Sequence, residues 1–293
     1  MVIVQLNGGL GNQMFQYALG RHISLRLKTT FKIDTHMYGN YKLRDYELGC
    51  FNCVENFASE NEVREYHLFG RNRHIWMLKR YFLRPWNLFN KLSVVQEKFF
   101  HFDADVVNMT GDLYFRGYWQ SEKYFSSIED VIRGDFTLRI PIDKECHNML
   151  DDIQCTESVS VHIRRGDYIT NATTNLHHGV MPLEYYMQAM DYIQSIHRNV
   201  HYFIFSDDIE WITQYFGGKD NIKIVGSNRI NTGPEDLYLM SQCKHNIIAN
   251  SSFSWWGAWL NVNKNRIVIA PKKWFAIQDR LTKDLYPENW ITM

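Results

Sequence analysis

The stretch Ser158-Val159-Ser160-Val161-His162-Ile163-Arg164-Arg165-Gly166-Asp167-Tyr168 decides the fold of this chain. Residues 159, 161 and 163 are Val or Ile and alternate with polar residues, which predicts a strand with one apolar face. Open α/β sheets bind their ligands at the carboxyl ends of strands. This strand ends in Arg164 and Arg165 beside a glycine that permits a sharp turn, so the pattern favours a receptor for a phosphate or diphosphate group. An ion pair between an arginine and Asp167 that only closes a loop is the alternative.

The length and the charge of the chain limit what it can be. Its 293 residues are enough for one large or two medium domains. Lys and Arg together number 32, as do Asp and Glu, so the formal net charge is zero. A general nucleic-acid-binding protein needs a basic surface, so we expect no nucleic-acid partner and only a local anion site. Aromatic residues make up 15% of the chain, which suits either a carbohydrate-binding surface or a large core.

The first residues and the cysteines indicate the compartment. Residues 2–4 already follow a strand pattern, which leaves no room for a signal peptide. No apolar run reaches the ~20 residues that span a bilayer. The five cysteines are odd in number and scattered, and Cys50 and Cys53 form a single CxxC without a second pair. We therefore expect no zinc site and a reduced, cytoplasmic protein.

Two blocks of alternating strand and helix patterns divide the chain. In the first, apolar runs at 2–6 and 29–33 flank a helical pattern and predict a βαβ start, and further elements are predicted at 74–82 (helix) and 113–119 (strand). In the second, helical patterns such as 183–196 and 236–243 separate apolar runs at 159–163, 202–205, 222–225, 247–249 and 267–270. Strands that are apolar on both faces and alternate with helices indicate a parallel sheet covered on both sides. We predict two α/β domains, 1–150 and 151–293.

A glycine-rich turn, Asn7-Gly8-Gly9-Leu10-Gly11-Asn12, follows the first predicted strand. Met14 stands where the third glycine of G-x-G-x-x-G would allow a helix to pack closely on the strand, and the GK[ST] ending of a P-loop is missing. A dinucleotide or P-loop site is therefore rejected. Backbone N–H groups at Gly9, Gly11 and Asn12 could still meet an anionic or hydroxyl-rich ligand, because they lie at a helix start. A purely structural tight turn explains the local sequence equally well.

Asp103 and Asp105 form a D-x-D pair of the kind with which metal-dependent sugar-nucleotide transferases hold a divalent cation. No long buried strand pattern precedes the pair, and the two arginines already offer positive charge for a diphosphate. A helix cap or a solvated loop therefore explains these aspartates better than a metal site does.

Two further motifs fall at predicted helix starts in the second block. Asp236 lies in a first helical turn, where a carboxylate is favoured by the helix dipole alone or accepts a hydrogen bond from a ribose or base. Directly after the apolar run at 247–249 come Asn250, Ser251, Ser252 and Phe253. Small hydroxyl residues at such a junction let backbone N–H groups approach phosphate oxygens, although a serine there can be a simple N-cap. The Trp pair at 255–256 is expected to pack between helix and sheet.

In this order the motifs resemble those of one family. The matching blocks lie at 7–18, 117–125 (Gly-Tyr-Trp-Gln-Ser-Glu-Lys-Tyr-Phe), 162–168, 236–240 and 250–258. Over nearly its whole length the chain is similar to the α-1,2-fucosyltransferases of glycosyltransferase family 11, in a bacterial form without a membrane anchor. His-x-Arg-Arg-x-Asp is shared with other inverting fucosyltransferases, whereas the glycine-rich turn and Ser-Ser-Phe-Ser-Trp-Trp are more specific.

This resemblance implies a GT-B-like fold, in which two Rossmann-like domains face each other across the active-site cleft. It implies inverting transfer of L-fucose from GDP-fucose, bound by the C-terminal domain, to the 2-hydroxyl of a terminal galactoside in a glycan such as an O-antigen. No metal or other cofactor is implied. Arg164 matches the arginine that contacts the donor diphosphate in related fucosyltransferases, and residues 35–150 would shape the acceptor side. The residues implied in seating the nucleotide are His162, Arg165, Asp236, Asn250, Ser251, Ser252 and Phe253.

Transfer also requires a general base, because the acceptor hydroxyl must lose a proton. Asp167 is the first candidate, since it is a carboxylate beside the predicted phosphate site, and holding Arg165 in place is an equal alternative. His177 and His178 are weaker candidates. An acceptor carried on a lipid would bring the protein to the inner face of the membrane as a peripheral protein. Two other functions stay open, a metal-dependent transferase that uses the D-x-D pair and a non-catalytic protein that binds a nucleotide or sugar.

Overall fold

A computed structural model describes residues 1–39, 44–70, 93–225, 233–277 and 280–293, with side chains except at 65, 67–70, 167, 170 and 172–174. The chain divides into two compact units, Met1–Thr137 and Leu138–Met293. Each unit contains its own parallel sheet with helices packed against it. The predicted α/β class, with a parallel sheet covered by helices in each of two units, is confirmed. The sequence-based division at residue 150 falls within the helix Lys144–Gln154 of the second unit.

The first unit is built on four strands. In chain order its described strands and helices are β1 (Val2–Gln5), α1 (Leu10–Leu27), β2 (Phe31–Asp34), α2 (Glu60–Gly70), β3 (Ser93–Gln96), α3 (Ala104–Asn108), β4 (Leu113–Arg116) and α4 (Glu129–Asp135). The strands lie in the order β2-β1-β4-β3, and all three pairings are parallel.

The centre of this sheet is buried on both faces. Ile3 of β1 packs with Val63 of α2, and Val4 lies against Gly20 of α1, where a Cβ would come within 3.2 Å of the Val4 Cβ. Successive residues of a strand point to opposite faces, so a continuous apolar run is what a strand covered by helices on both sides needs. This arrangement fixes where β1 ends and therefore where the glycine-rich turn lies.

The second unit is built on six strands. In chain order its described elements are α5 (Lys144–Gln154), β5 (Glu157–Ile163), α6 (Gly166–Thr170), α7 (Ala172–His178), α8 (Leu183–Ile196), β6 (Val200–Ser206), α9 (Ile209–Phe216), β7 (Ile222–Val225), α10 (Gly233–Gln242), β8 (His245–Ile247), α11 (Ser252–Leu260), β9 (Val268–Ala270) and β10 (Ile291–Thr292). The strand order is β10-β9-β8-β5-β6-β7, with parallel pairings throughout.

The predicted alternation along β5 is confirmed. Val159, Val161 and Ile163 are fully buried and belong to one apolar cluster with α8 and α9. His162 pairs in register with Phe205, whose side chain belongs to the cluster on the opposite face with α5 and α10. The polar residues of the strand therefore lie on the face that α10 and α11 cover, which is where the candidate site begins.

Some element boundaries differ from the sequence-based predictions. β4 ends at Arg116 instead of 119, because Gly117 (φ 156°) and Trp119 (φ 58°) leave the extended conformation. The strand predicted at 247–249 is His245–Ile247, and β3 and β10 were not predicted. The helix predicted at 183–196 is confirmed, whereas the one predicted at 74–82 lies outside the described residues. None of the five cysteines forms a disulfide.

Candidate functional site

The candidate site lies where the strand order of the second sheet reverses. The chain passes from β5 to β6 and β7 on one side, and β8 then pairs with the other side of β5. In open α/β sheets, ligands bind in the crevice that such a reversal leaves at the carboxyl ends of the strands. Arg164 leaves the sheet directly after β5, and Asn250 follows the end of β8. The predicted arginines and the predicted serine turn therefore border the same crevice.

Arg164 is oriented by a neighbouring carboxylate. Its Nη1 lies 2.8 Å from Oδ2 of Asp207, which follows β6, and its guanidinium carbon lies 5.7 Å from the centre of the Tyr168 ring. The Arg164 side chain is 22% exposed. A guanidinium carries its five N–H donors in one plane, so the ion pair with Asp207 fixes the direction of the whole group.

Asp207 also organises the turn that follows β5. Its Oδ1 accepts the Arg165 N–H at 2.9 Å, and its carboxylate accepts the Gly166 N–H as well. A Cβ on Gly166 would lie 2.7 Å from Oδ2 of Asp207, so the close approach requires glycine. Burial acts to raise the pKa of Asp207, but the Arg164 charge and the two N–H groups outweigh it and lower that pKa below its ordinary value.

The Arg165 side chain is held within the protein. Its Nε lies 3.0 Å from Oδ2 of Asp208, and its guanidinium carbon lies 4.2 Å from the centre of the Trp211 ring. Asp208 also caps α9 by accepting the Trp211 N–H at 3.1 Å. Arg164 and Arg165 thus face Asp207 and Asp208, and the formal charges of these four groups sum to zero. The site therefore has no excess of positive charge from these groups, and its distinctive feature is that Asp207 fixes the direction of the Arg164 guanidinium.

His162 lies beside this turn as a buried, neutral imidazole. Its side chain is 5% exposed, and its ring centre lies 5.5 Å from that of Phe253 at the start of α11. Burial, and then the Arg164 charge, lower the pKa of His162 well below its ordinary value. Its Nδ1 has no hydrogen-bond partner among the described residues. Two residues predicted in the nucleotide site, His162 and Phe253, therefore contact each other across the crevice.

Asn250 holds the backbone around the crevice. Its Nδ2 donates to the carbonyl oxygens of His178 at 2.8 Å, Gly179 at 3.2 Å and Trp274 at 3.3 Å. Its own carbonyl accepts from the Tyr168 hydroxyl at 3.1 Å. The N–H groups of this amide are used within the protein, so Asn250 acts on the site by positioning the segment that ends at Gly179.

The turn 251–253 begins α11. Ser251 is the N-cap residue, and its side chain makes no capping hydrogen bond. Ser254 turns its hydroxyl back to the Ser251 carbonyl at 3.3 Å. The first backbone N–H groups of the helix therefore lack a side-chain cap, which is the condition in which a helix start binds an anion. Trp255 and Trp256 are fully buried, as predicted for a pair that packs between helix and sheet.

Asp236 lies in the first turn of α10. Helices that connect parallel strands run back along the sheet, so α10 and α11 both begin at its carboxyl edge. The two helices approach closely, because a Cβ on Gly257 would lie 2.9 Å from the Met240 Cβ. The fold therefore brings Asp236 to the same edge as the arginines, and its predicted contact with a nucleotide stays a prediction.

The predicted base is placed only by its backbone. Asp167 belongs to α6, and its side chain lies outside the described residues, so its role stays a prediction. The alternative in which it holds Arg165 stays open as well, and the structure shows Asp208 and Trp211 holding that side chain. The rings of His178 and Tyr168 stack with centres 5.1 Å apart.

The remaining predicted residues lie in the first unit. Gly9 is the N-cap residue of α1, and Gly11 and Asn12 are in its first turn. Asp103 caps α3, since its Oδ1 accepts the Asp105 N–H at 3.0 Å. This is the helix-cap alternative that the D-x-D pair allowed.

One group of potential metal ligands occurs among the described side chains. Glu157, His197 and His245 lie at the amino end of the second sheet, with ligand atoms within 4.8 Å of one another. The His245 Nδ1 accepts the Ile267 N–H at 3.0 Å, which keeps the ring proton on Nε2, and Nε2 lies 3.0 Å from Glu157 Oε1. The ring therefore has no nitrogen available for a metal ion, and the group is an ion-paired cluster.

Sequence reasoning missed the partners of the arginines. Asp207 and Asp208 directly follow the apolar run at 202–205, which was predicted as a strand. Neighbouring parallel strands end at the same edge, so these aspartates were candidates for the same site by the rule that identified Arg164. The missing information was that β6 pairs directly with β5.

The fold and the site define an α/β protein with a crevice at the switch point of its second sheet, bordered by Arg164 and by the start of α11. The family model for Glycosyl transferase family 11 matches residues 1–293. The chain belongs to this glycosyltransferase family, and the resemblance inferred from its sequence motifs is confirmed.

Three curated relatives show the range of the similarity. An Escherichia coli protein named alpha-1,2-colitosyltransferase is 37% identical over 99% of this chain and 98% of its own length. The O-antigen biosynthesis glycosyltransferase WbnK of Escherichia coli is 33% identical over 98% and 99%. A galactoside 2-alpha-L-fucosyltransferase of Caenorhabditis elegans is 30% identical over 59% of this chain and 50% of its own length. In the part of the chain that the structure describes, no helix has the length and apolar character that crossing a membrane would need.

Proposed function

We propose that the protein is an inverting glycosyltransferase that moves L-fucose from GDP-β-L-fucose to the 2-hydroxyl of a terminal galactoside. The observation that carries the proposal is the orientation of Arg164 by Asp207 at the switch point of the second sheet, with the Arg164 side chain 22% exposed. The names of the relatives support the linkage and the substrate class, since one is an alpha-1,2 transferase and another acts in O-antigen biosynthesis.

The proposed reaction is an in-line displacement through an oxocarbenium-like transition state. A bond forms between the acceptor oxygen and C1 of the sugar, while the bond from C1 to the phosphate oxygen breaks and its electron pair leaves with GDP. The charge on the phosphate oxygens grows as this bond breaks. A fixed guanidinium at those oxygens therefore stabilises the transition state more than the ground state.

The other groups at the crevice would seat the nucleotide. The uncapped start of α11 supplies backbone N–H groups for phosphate oxygens. The unpaired Nδ1 of His162 is a buried polar atom beside Arg164, and a bound nucleotide would give it a hydrogen-bond partner. These groups and Arg164 are sufficient in kind to bind a diphosphate, so the proposed reaction uses no metal ion.

We assign the role of general base, which takes the proton of the acceptor hydroxyl, to Asp167, the carboxylate that follows Arg164 and Arg165. As an anion it would accept the proton as the new glycosidic bond forms. His177 and His178 are the alternatives along the chain.

Colitose is a second candidate for the transferred sugar, because the alpha-1,2-colitosyltransferase is 37% identical over nearly the whole chain. Colitose is L-fucose without its 3-hydroxyl. The two sugar nucleotides therefore differ by one hydroxyl group, and comparing kcat/KM for GDP-fucose and GDP-colitose with one acceptor distinguishes them.

Incubation with GDP-fucose and a panel of β-galactosides in EDTA tests the proposal. The expected result is a product with fucose in α linkage at the 2-hydroxyl of galactose, identified by NMR. Activity that is lost in EDTA and restored by Mn²⁺ would instead support the transferase that uses Asp103 and Asp105. Calorimetric binding of GDP without turnover on any acceptor would support a non-catalytic binding protein, and no GDP binding at all would refute the site.

A further inference from the structure

The proposed reaction assigns no role to Tyr168, the last residue of the sequence block that contains β5. Tyr168 lies on α6, and its side chain is only 8% exposed. Its hydroxyl donates a hydrogen bond to the Asn250 carbonyl at 3.1 Å, which ties the ring to the segment that follows β8. The ring is therefore part of the protein interior, four residues after Arg164 along the chain.

Further rings hold Tyr168 in place. The imidazole of His178 stacks on the Tyr168 ring, with ring centres 5.1 Å apart and an angle of 15° between the planes. Phe275 contacts the His178 ring in turn, with ring centres 5.6 Å apart. The backbone beside this contact is joined as well, because the Ala276 N–H donates to the His177 carbonyl at 2.9 Å. A side chain that is hydrogen-bonded at its tip and stacked along its ring has little rotational freedom, so Tyr168 offers a rigid surface.

The Arg164 guanidinium lies over this surface. Its carbon is 5.7 Å from the centre of the Tyr168 ring, and a cation within about 6 Å of a ring centre is attracted to the negative face of the ring. The ion pair with Asp207 joins the carboxylate to one terminal nitrogen, Nη1. A contact at one corner of a planar group fixes its direction, whereas a ring over the plane also restricts rotation of the plane about that corner.

We infer that Tyr168 is a positioning residue for the proposed glycosyl transfer and acts through Arg164. Its ring holds the plane of the guanidinium in the orientation that the departing diphosphate requires. The inference rests on the proposed function, in which Arg164 stabilises the charge on the leaving group. It assigns Tyr168 no contact with the nucleotide or with either sugar.

A positioning role affects the rate more than it affects nucleotide binding. In the proposed complex several groups hold GDP, among them the start of α11, so a small rotation of one guanidinium costs little affinity. In the transition state, charge develops on particular oxygens, and donors already oriented toward those oxygens contribute most. A displacement of about 1 Å can lower a rate roughly 10²-fold. Loss of the Tyr168 ring should therefore lower kcat and leave the Kd of GDP nearly unchanged.

Two variants separate the ring from the hydroxyl. Tyr168→Leu removes the ring, whereas Tyr168→Phe keeps it and loses only the hydrogen bond to Asn250. We expect kcat to fall roughly 10–100-fold in Tyr168→Leu and to stay within about threefold of the wild type in Tyr168→Phe. The Kd of GDP, measured by calorimetry, should stay within about threefold of the wild type in both variants. If Tyr168→Leu does not fold, Tyr168→Met takes its place, because a flexible methionine fills irregular space without a ring.

A matched control and a double-mutant cycle exclude a merely structural role. Tyr202→Leu is the control, because Tyr202 is also buried and its hydroxyl also donates to a backbone carbonyl, that of Met190 at 2.8 Å. It should lower the urea midpoint without the loss of kcat, and equal losses of kcat in the two leucine variants would refute the inference. In the Arg164→Lys background, Tyr168→Leu should lower kcat by no more than about threefold, because the oriented fork is already absent. An undiminished loss in that background would also refute it, since the ring would then act through another group, such as Asp167.

NMR of the arginine side chains separates this inference from the proposed function. The Arg164 signal, identified by its absence in Arg164→Lys, reports the rate of rotation about the bond between Nε and Cζ. We expect slow rotation in the wild type and in Tyr168→Phe, and faster rotation in Tyr168→Leu. This result supports the positioning of Arg164 by Tyr168 even if the wild type transfers no fucose, and in that case only the proposed reaction fails. Equal rotation rates in the wild type and Tyr168→Leu would overturn the inference even if fucose is transferred.

Discussion

The substitution Arg164→Lys separates a role in the reaction from a role in folding. Lysine keeps the positive charge but replaces the planar fork of five donors with a single ammonium group. In the structure the fork is oriented by the 2.8 Å ion pair between its Nη1 and Asp207, and it also lies over the Tyr168 ring. A lysine can still pair with Asp207, so the folded state loses little, while the donors that the proposed function assigns to the departing phosphate are lost.

The two effects differ in size. Loss of a preorganised donor to a developing negative charge costs about 2.7–4 kcal/mol, or roughly 10²–10³ in kcat. The ion pair joins side chains that are 22% and 27% exposed. Water screens such a pair, so it contributes about 0–1 kcal/mol to the free energy of unfolding, and lysine retains part of that.

The assay measures kcat with saturating GDP-fucose and acceptor, and the free energy of unfolding by urea denaturation, for the wild type and both arginine variants. Arg165→Lys is the matched control, since its side chain already contacts Asp208 and Trp211. We expect it to lower the free energy of unfolding by about 0.5–1 kcal/mol through loss of the cation–π contact. Its kcat should fall much less than that of Arg164→Lys. Equal losses of kcat in the two variants, or an unchanged kcat in Arg164→Lys, would refute the assignment of Arg164 to the leaving group.

Three further predictions concern stability and are checked by urea denaturation. Gly257→Ala should lower the free energy of unfolding by about 1–2 kcal/mol, because the new Cβ would lie 2.9 Å from that of Met240. Gly134→Ala should raise it by about 0.5–1 kcal/mol, because nothing lies within 4 Å of the new Cβ and alanine favours a helix. A change of the same sign in both variants would contradict this reasoning. Asn250→Ala removes the side-chain amide that donates to three carbonyl oxygens, so it should lower the free energy of unfolding by about 3 kcal/mol. A decrease of less than about 1 kcal/mol would show that water replaces the amide. The folded-state pKa of Asp207 lies below its ordinary value of 3.8, so the stability that the Asp207 carboxylate contributes is present above that pH and is lost as the pH falls through the lower value. Asp207→Asn should therefore flatten the decline of the free energy of unfolding below about pH 4. An equally steep decline in the variant would contradict the ion pair with Arg164.

Much of the second unit was predictable from local patterns. The alternation from 158 to 163 specified which side chains of β5 face each layer of helices, and the helix 183–196 was predicted with its observed bounds. Periodicity reports burial on one or two faces, and burial is what the central strands of a parallel sheet have in common. Short edge strands lack that signal, which is why β3 and β10 were missed.

Contacts between distant residues could not be read from local patterns. Asp207 lies 42 residues after Arg165 along the chain, yet it accepts the Arg165 N–H at 2.9 Å. Gln120 and Asn12 are separated by 108 residues, and their amides are 2.7 Å apart. Each partner looks like an ordinary polar residue until strand pairing brings the two loops to one edge.

The sequence by itself determined the α/β class, the family and the position of Arg164 at the end of a buried strand, because alternating burial and short glycine-rich turns are local properties of the chain. Only the tertiary structure decided that Asp207 orients Arg164, that Asp208 and Trp211 hold Arg165, and that Gln120 holds Asn12. The physical reason is that strand order selects which loops become neighbours, and hydrogen bonds and ion pairs act only at the short distances that this order creates.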